Sequence, residues 1–90
     1  MAFLVGVFEG DIDAWSKLFL SDPLGRAQVA KGHTVLRGVD NPNMAFVRIE
    51  FDSAEDARAF AEKVRGSTVL DNVIPKIPPT VVEVLDQTTY

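Results

Sequence analysis

The order of apolar patterns along the chain restricts its fold more than any other feature. A nearly continuous apolar run at Phe3–Phe8 is typical of a strand that is buried on both faces. A helical stripe follows, with Asp11 or Asp13 as its N-cap and Pro23 as its end or kink. The apolar members of this stripe are Ile12, Trp15, Leu18 and Phe19. A second helical piece is expected at Leu24–Lys31.

A hairpin is expected at the centre of the chain. The runs His33–Val39 and Met44–Asp52 both have the composition of strands. Between them lies Asp40–Asn43, in which all four residues favour turns. A direct antiparallel connection is therefore the simplest interpretation.

The remainder of the chain supplies a second helix and a last strand. Ser53 is the expected N-cap and Gly66 the expected end of a helix. Its apolar stripe consists of Ala57, Phe60, Ala61 and Val64. An extended path through Pro75–Pro79 then leads to a strand at Thr80–Leu85, and residues 87–90 are expected to form a flexible tail.

This order of elements defines a fold class. A strand–helix–strand pattern that occurs twice around a central hairpin predicts an α+β, ferredoxin-like β-α-β-β-α-β sandwich. In that fold an antiparallel sheet carries both helices on one face. The chain has 90 residues, which suffice for one domain spanning residues 1–90 but not for two independent cores.

Strand alternation sorts the hairpin residues into two faces. With Asp40–Asn43 as the connection, Val39 lies opposite Met44, and His33 lies opposite Glu50. The face expected to meet the helices is apolar apart from Thr34 and holds Leu36, Gly38, Ala45, Val47, Ile49 and Phe51. The open face is expected to hold His33, Val35, Arg37, Val39, Met44, Phe46, Arg48 and Glu50.

The predicted open face combines large apolar and ionisable side chains, and Glu83 of the last strand is expected to join it. An exposed apolar surface of this kind usually marks an interface or a ligand cleft. A domain of this length has a marginal core, and the absence of cysteine rules out disulfides as a remedy. A homodimer that buries the open face is therefore expected.

Composition restricts the partners. The chain has 13 acidic and 9 basic residues and no cluster of Lys or Arg, which argues against nucleic-acid binding. No apolar run approaches the roughly 20 residues of a membrane span, and the first residues lack the basic start of a signal peptide. A cytoplasmic location without membrane contact is the expectation.

Several short motifs together resemble a known family. They are Asp13-Ala14-Trp15, Gly32-His33, Asp40–Asn43, Val47–Asp52, Glu55–Phe60 and Pro78-Pro79. Across Phe3–Asp86 the chain resembles small dimeric α+β barrel proteins of bacteria, which are similar to antibiotic biosynthesis monooxygenases and are sometimes labelled cyclase-like. The resemblance implies a homodimer whose two sheets face each other around a pocket.

The resemblance does not select an activity, because its superfamily includes cofactor-independent oxygenases, haem-degrading enzymes, isomerases and stress-induced proteins. The single histidine, His33, lies at the start of a strand and not on a helix, which departs from the haem-degrading pattern. With one histidine and no cysteine, no metal site is expected. No cofactor is expected either, since the glycines match no phosphate-binding fingerprint.

His33 and Glu50 are the candidate catalytic residues. His33 is the only side chain whose ordinary pKa lies near neutrality, and a carboxylate across the ladder could orient it as a general base. The alternative is that His33 follows the helix stop at Gly32 and lies at an exposed strand edge without a catalytic role.

The candidate ligand-binding residues are Trp15, Arg37, Phe46, Arg48 and Glu83. Two arginines on an apolar-rimmed face favour a small aromatic or anionic ligand. The charged members could equally be interface salt bridges, Phe46 could pack in the dimer, and Trp15 could belong to the core.

Three functions remain open at this level. The first is a small-molecule-binding homodimer, with its pocket between sheet and helices or between facing sheets. The second is a cofactor-independent monooxygenase or cyclase that acts on a polycyclic or quinone-like substrate. The third is a structural or stress-associated dimer without catalysis.

Overall fold

Four strands and three helices follow the expected order in a computed structural model that describes residues 1–90. The elements are β1 (Ala2–Gly10), α1 (Ile12–Leu20), α2 (Arg26–Val29), β2 (Gly32–Arg37), β3 (Met44–Phe51), α3 (Ala54–Arg65) and β4 (Val73–Glu83). The strands form one antiparallel sheet in the order β2-β3-β1-β4. This is the ferredoxin-like α+β fold that the sequence predicts.

Both long helices begin at the caps expected from the sequence. The Asp11 side chain accepts a hydrogen bond from the backbone N–H of Ala14, and the Ser53 hydroxyl accepts one from Asp56. These bonds satisfy N–H groups that have no partner within the helix. None of the three helices is both long and apolar enough to cross a membrane.

The core lies between the sheet and the two long helices. Every second residue of β1 and β3 is buried there, as the period of two in a strand requires. The buried members of the core include Leu4, Phe8, Ile12, Trp15, Ala45, Val47, Ile49, Phe51, Ala57, Phe60 and Ala61. The opposite face of the sheet carries no helix.

The hairpin register is one position away from the predicted one. Gly32 and not His33 lies opposite Glu50, and Arg37 lies opposite Ala45 and not Phe46. His33, Val35 and Arg37 are therefore on the helix side, while Leu36 is on the open face. The predicted cross-strand pair of His33 and Glu50 does not form.

The cause of this shift is a longer connection between the strands. The backbone N–H of Met44 donates to the carbonyl of Asn41, which closes a turn with Pro42 at its second position. Gly38 then pairs with Met44, so Val39 leaves the ladder and is 96% exposed. A Cβ at Gly38 would lie 2.5 Å from the Asn41 carbonyl oxygen, so this connection requires glycine there.

The last strand is longer than expected and includes the prolines Pro75, Pro78 and Pro79. Since β4 is an edge strand, the missing N–H groups can face away from the sheet. The pairing with β1 also shifts between Val5 and Phe8, where bulges absorb extra residues. Glu83 lies opposite Ala2 on the helix side, so the prediction that it joins the open face is wrong.

Candidate functional site

An apolar cavity opens between the sheet and the helices. Its volume is about 70 Å³, which is room for several water molecules. Of the 18 residues that line it, 13 are hydrophobic. The buried residues Leu4, Val47, Ile49 and Phe60 form its floor, and the buried rings of Phe8 and Trp15 also line it. Half-buried residues at its rim, including Phe19, Leu24, Val64 and Leu70, give it access to solvent.

A row of aromatic rings forms one wall of the cavity. Trp15 stacks on Phe19 with ring centroids 5.1 Å apart, and its other neighbour, Phe8, is 5.8 Å away. The helical spacing of Trp15 and Phe19 places both rings on the same side of α1. Trp15 is thus both a core residue and part of the pocket wall. The sequence had suggested these as alternatives, a core role or a ligand-binding role.

Gly6 shapes the floor of this cavity. It lies on the helix side of β1, opposite Val47. A Cβ at this position would lie 2.8 Å from the Phe8 ring. The absence of a side chain therefore allows the Phe8 ring to fold back over its own strand.

Arg26 is the one buried charged residue, with 7% of its surface exposed, and it lines the cavity. Its guanidinium carbon lies 3.8 Å from the centroid of the Phe19 ring, and its Nη1 donates to the Phe19 carbonyl at 2.9 Å. The contact with the ring is a cation–π interaction. Its nearest carboxylate, Asp22, is 3.9 Å from Nη1.

Asp22 holds the segment that carries Arg26. Its two carboxylate oxygens accept hydrogen bonds from the backbone N–H groups of Arg26 and Ala27, at 2.6 and 3.0 Å. The hydrogen bond from Ala27 has the larger effect and that from Arg26 the smaller, and both hold the pKa of Asp22 below its ordinary value. Asp22 and Gly25 both have positive φ angles, so the chain turns sharply here. That turn leaves only Arg26–Val29 of the longer helix expected at Leu24–Lys31.

His33 lies next to this cluster but is not part of the cavity lining. Its ring meets the edge of Phe19 at a centroid distance of 5.0 Å. His33 is exposed on the edge strand β2. The limited desolvation beside Phe19, followed by the positive charge of Arg26, lowers the pKa of His33, and the nearby Asp22 opposes this only in part. The neutral imidazole is therefore the main form at neutral pH.

The open face of the sheet is a second apolar surface. One row crosses all four strands and consists of Leu36, Phe46, Val7 and Ile77. The next rows contain Arg48, whose guanidinium lies 5.3 Å from the Phe3 ring centroid, and Glu50. Phe46 is 41% exposed, and Leu36 is 59% exposed. Uncovered apolar surfaces of this kind usually mark an interaction or ligand site.

The structure divides the sequence-predicted site residues between these two faces. Trp15 and His33 are near the cavity, and Arg37 forms an ion pair with Asp13 at the start of α1. Phe46, Arg48 and Glu50 are on the open face, as predicted, while Glu83 is at the end of the edge strand. No ion pair joins any two of the charged candidates Arg37, Arg48, Glu50 and Glu83.

Sequence reasoning missed Asp22 and Arg26 as residues of the site. It also missed that Phe19 contacts both Arg26 and His33. The dipeptide Asp22-Pro23 was visible as a helix break, and an aspartate before such a break commonly binds nearby backbone N–H groups. The burial of Arg26 carries no local signal, because it depends on the packing of Phe19 against the turn. No three His, Cys, Asp or Glu side chains are close enough together to hold a metal ion.

Comparison with known proteins supports the fold. No family model matches the chain. No curated protein sequence matches it either. Among solved structures it is similar to a "putative antibiotic biosynthesis monooxygenase" from Deinococcus radiodurans, with a TM-score of 0.71 and 13% identity over 100% of this chain and 98% of the other. The resemblance expected from the sequence is confirmed at the level of the fold.

Proposed function

From the shared fold and the two apolar faces of its sheet, we propose that this protein is a homodimer that binds a small molecule. The ligand pocket is the cavity between sheet and helices, and the dimer interface is the open face. The observation that carries the proposal is the combination of an apolar, aromatic-walled cavity with one buried arginine. Ligand sites typically join an apolar lining to a few polar groups that orient the ligand.

The size of the cavity restricts the ligand. Pockets for drug-sized molecules measure roughly 300–1,000 Å³, and this one is smaller. The enclosed space of about 70 Å³ holds at most a small apolar group. A larger ligand must extend past the half-buried rim at Leu24 and Leu70.

The open face of the sheet supports the proposed dimer. The apolar row crosses the whole sheet with no helix over it, and Leu36, Phe46 and Ile77 are exposed in a single chain, while Val7 is half-buried. A second copy presents the same flat surface, so two sheets can pack face to face. The resemblance to dimeric α+β barrel proteins supports the same arrangement.

Fragment binding to the purified protein tests the pocket. Trp15 is the only tryptophan and lines the cavity, so its indole N–H signal in a ¹H–¹⁵N spectrum reports on binding directly. One- and two-ring aromatic compounds are expected to shift this signal. The substitution Val64→Phe, which fills the rim, should weaken the binding, and the matched control Val64→Ala should not. If no compound shifts the Trp15 signal, the structural dimer without a ligand becomes the better account.

A second candidate function, a cofactor-independent monooxygenase or cyclase, is favoured by one observation. A neutral imidazole at His33 and the guanidinium of Arg26 both contact the Phe19 ring. The imidazole can accept a proton from a polycyclic or quinone-like substrate, and the guanidinium can stabilise the resulting anion, which can then react with dioxygen. Because His33 is outside the cavity lining, this role requires the Phe19 ring to turn aside.

Oxygen consumption with polycyclic phenols tests this second candidate. The variant His33→Asn keeps a polar side chain of similar shape but removes the base, so turnover should fall about 100-fold or more. The same substitution should leave fragment binding at Trp15 unchanged. Equal turnover by His33→Asn and the unmodified protein would exclude His33 as the base.

A further inference from the structure

One connection of the chain contributes more residues to the cavity lining than any other. It is the stretch Asp22–Ala30 between α1 and β2, the connecting segment, which includes α2. Its lining residues are Asp22, Pro23, Leu24 and Arg26. Leu24 is half-buried and packs against the hydrophobic core at the rim of the cavity. The connecting segment therefore forms part of the boundary between the cavity and solvent.

The connecting segment is held together by its own hydrogen bonds. The Asp22 carboxylate accepts from the backbone N–H groups of Arg26 and Ala27, and the N–H of Ala30 donates to the Arg26 carbonyl at 2.8 Å. No hydrogen bond or ion pair joins the segment to the sheet or to α3. Side-chain packing alone therefore holds it against those elements.

Both ends of the connecting segment are anchored. At the first end, the Asp22 N–H and the Arg26 side chain both donate to the carbonyl of Phe19 in α1. Just beyond the second end, the N–H of Lys31 donates to the Glu50 carbonyl of β3 at 2.8 Å. Movement of the segment is therefore limited to lifting between two fixed points.

The floor of the cavity and the wall formed by α3 are held more firmly. The floor strands β1 and β3 are central, and each is paired with a neighbour on both sides. Three residues of α3 are buried, namely Ala57, Phe60 and Ala61. By contrast, Leu24 and Ala30, the apolar residues with which the connecting segment packs on the core, are only half-buried. Of these walls, the connecting segment is the one that can move without breaking a hydrogen bond to the sheet.

The enclosed space of about 70 Å³ holds at most a small apolar group, so an aromatic ring can enter only if a wall moves. We infer that the connecting segment is a lid, which lifts from the sheet to admit an uncharged aromatic ring and closes at Leu24. The inference rests on the proposed ligand pocket and adds its entrance and the class of its ligand. A charged group would lose its hydration in this cavity, since 13 of the 18 lining residues are hydrophobic. Lids commonly shield such sites from water.

A single introduced thiol reports the opening of the lid, because the chain has no cysteine of its own. Val47→Cys places the thiol at a buried position of the lining, and Ala45→Cys, on the same face of β3 but outside the lining, is the control. Each variant is labelled with 4,4′-dithiodipyridine, an uncharged aromatic disulfide, at several low urea concentrations. The thiol at position 47 should react about tenfold faster or more, with little dependence on urea, because lifting the lid exposes far less surface than unfolding.

A second substitution tests whether Leu24 closes the entrance. Leu24→Ala removes packing that holds the lid down and should speed labelling at position 47 about tenfold or more. Leu20→Ala, at the exposed end of α1 and outside the lining, is the matched control and should leave the rate unchanged. Saturating toluene, an uncharged ring, should slow labelling at position 47, since it occupies the cavity. If Leu24→Ala does not fold, the urea dependence of labelling in Val47→Cys alone decides the matter.

The outcomes separate the lid from the pocket. Fast labelling at position 47 that depends little on urea, and that Leu24→Ala but not Leu20→Ala accelerates, supports the lid. Equal rates and equal urea dependence at positions 47 and 45 would mean that the cavity opens only on unfolding, which overturns the lid. A rate that Leu24→Ala does not change would place the entrance elsewhere and overturns it too. The pocket survives either result if aromatic compounds still shift the Trp15 indole signal. If no one- or two-ring aromatic shifts that signal, the pocket and the ligand assigned to the lid both fail.

Discussion

Both faces of the sheet carry apolar side chains, but helices cover only one of them. On the helix side, the β3 residues Ala45, Val47, Ile49 and Phe51 are buried under α1 and α3. On the open side, the alternate residues of the same strand are Met44, Phe46, Arg48 and Glu50, and no helix covers them. One strand thus serves two environments, since its side chains alternate.

The difference between the faces lies in where charge is placed. On the open face, the charged groups Arg48 and Glu50 are in rows beside the apolar band. On the helix side, the one buried charge, Arg26, is at the start of the short helix α2 and not in the sheet. This arrangement matches the two proposed roles, a dimer interface on the open face and a small pocket on the helix side.

The largest loss of stability is expected from a substitution on the face of the sheet that the helices cover. Phe51 is fully buried and packs on Phe60, with ring centroids 5.7 Å apart. Phe51→Ala should lower the free energy of unfolding by about 3–5 kcal/mol, measured by urea denaturation. Phe46→Ala, on the opposite face of the same strand, is the control. It should lower the free energy of unfolding of a single chain by less than half as much. Equal losses would mean that the faces do not differ as described.

The proposed role of the open face in self-association can be tested by placing a charged side chain in it. Phe46→Glu places a carboxylate in the centre of the apolar row, where a second copy would have to desolvate it. Self-association should weaken by roughly 100-fold or more, equivalent to about 2.7 kcal/mol. Sedimentation velocity measures this, with Val39→Glu in the exposed loop as the control. Unchanged self-association in Phe46→Glu would place the interface elsewhere.

A smaller effect is expected at the floor of the pocket. Gly6→Ala adds a methyl group that would lie 2.8 Å from the Phe8 ring, so this ring must move into the cavity. The expected loss of stability is about 1–3 kcal/mol, with weaker binding of aromatic fragments at Trp15. Gly32→Ala is the matched control, because a Cβ at Gly32 meets no atom within 4 Å. Unaltered fragment binding in Gly6→Ala would show that the floor does not limit the ligand.

The smallest effect concerns the turn that positions Arg26. The pKa of Asp22 is lowered in the folded protein, so its carboxylate contributes stability above the unfolded pKa of an aspartate. This contribution is lost as the pH falls through the lower folded value. Asp22→Asn should therefore be less stable than the unmodified protein at neutral pH, with a difference that shrinks in acid. A difference that stays constant down to pH 2 would contradict the assigned role of Asp22.

The order of elements was predictable from the sequence because it depends on local patterns. The caps at Asp11 and Ser53 and the stripes of α1 and α3 are determined by neighbours within a few residues. The register of the hairpin was not predictable, because the turn at Asn41 and the close approach at Gly38 depend on backbone geometry. A shift of one residue moved His33, Val35 and Arg37 to the other face.

The candidate site was less predictable than the fold for the same reason. Trp15 was identified from its helical stripe, and Phe46, Arg48 and Glu50 from the alternation of β3, which is independent of the hairpin register. Arg26 was missed, since its burial arises from the tertiary contact with Phe19. Pockets built from connecting segments are therefore harder to infer than surfaces built from regular strands.

The claim that the two faces have separate partners can be tested most directly by isotope-filtered NMR on a mixed sample. Equal amounts of ¹³C-labelled and unlabelled protein form mixed dimers, and intermolecular cross-peaks identify the side chains at the interface. The account predicts such cross-peaks for Phe46 and Val7, and none for Trp15 or Phe60. Intermolecular cross-peaks from the helices alone, or a single-chain mass at millimolar concentration, would contradict it.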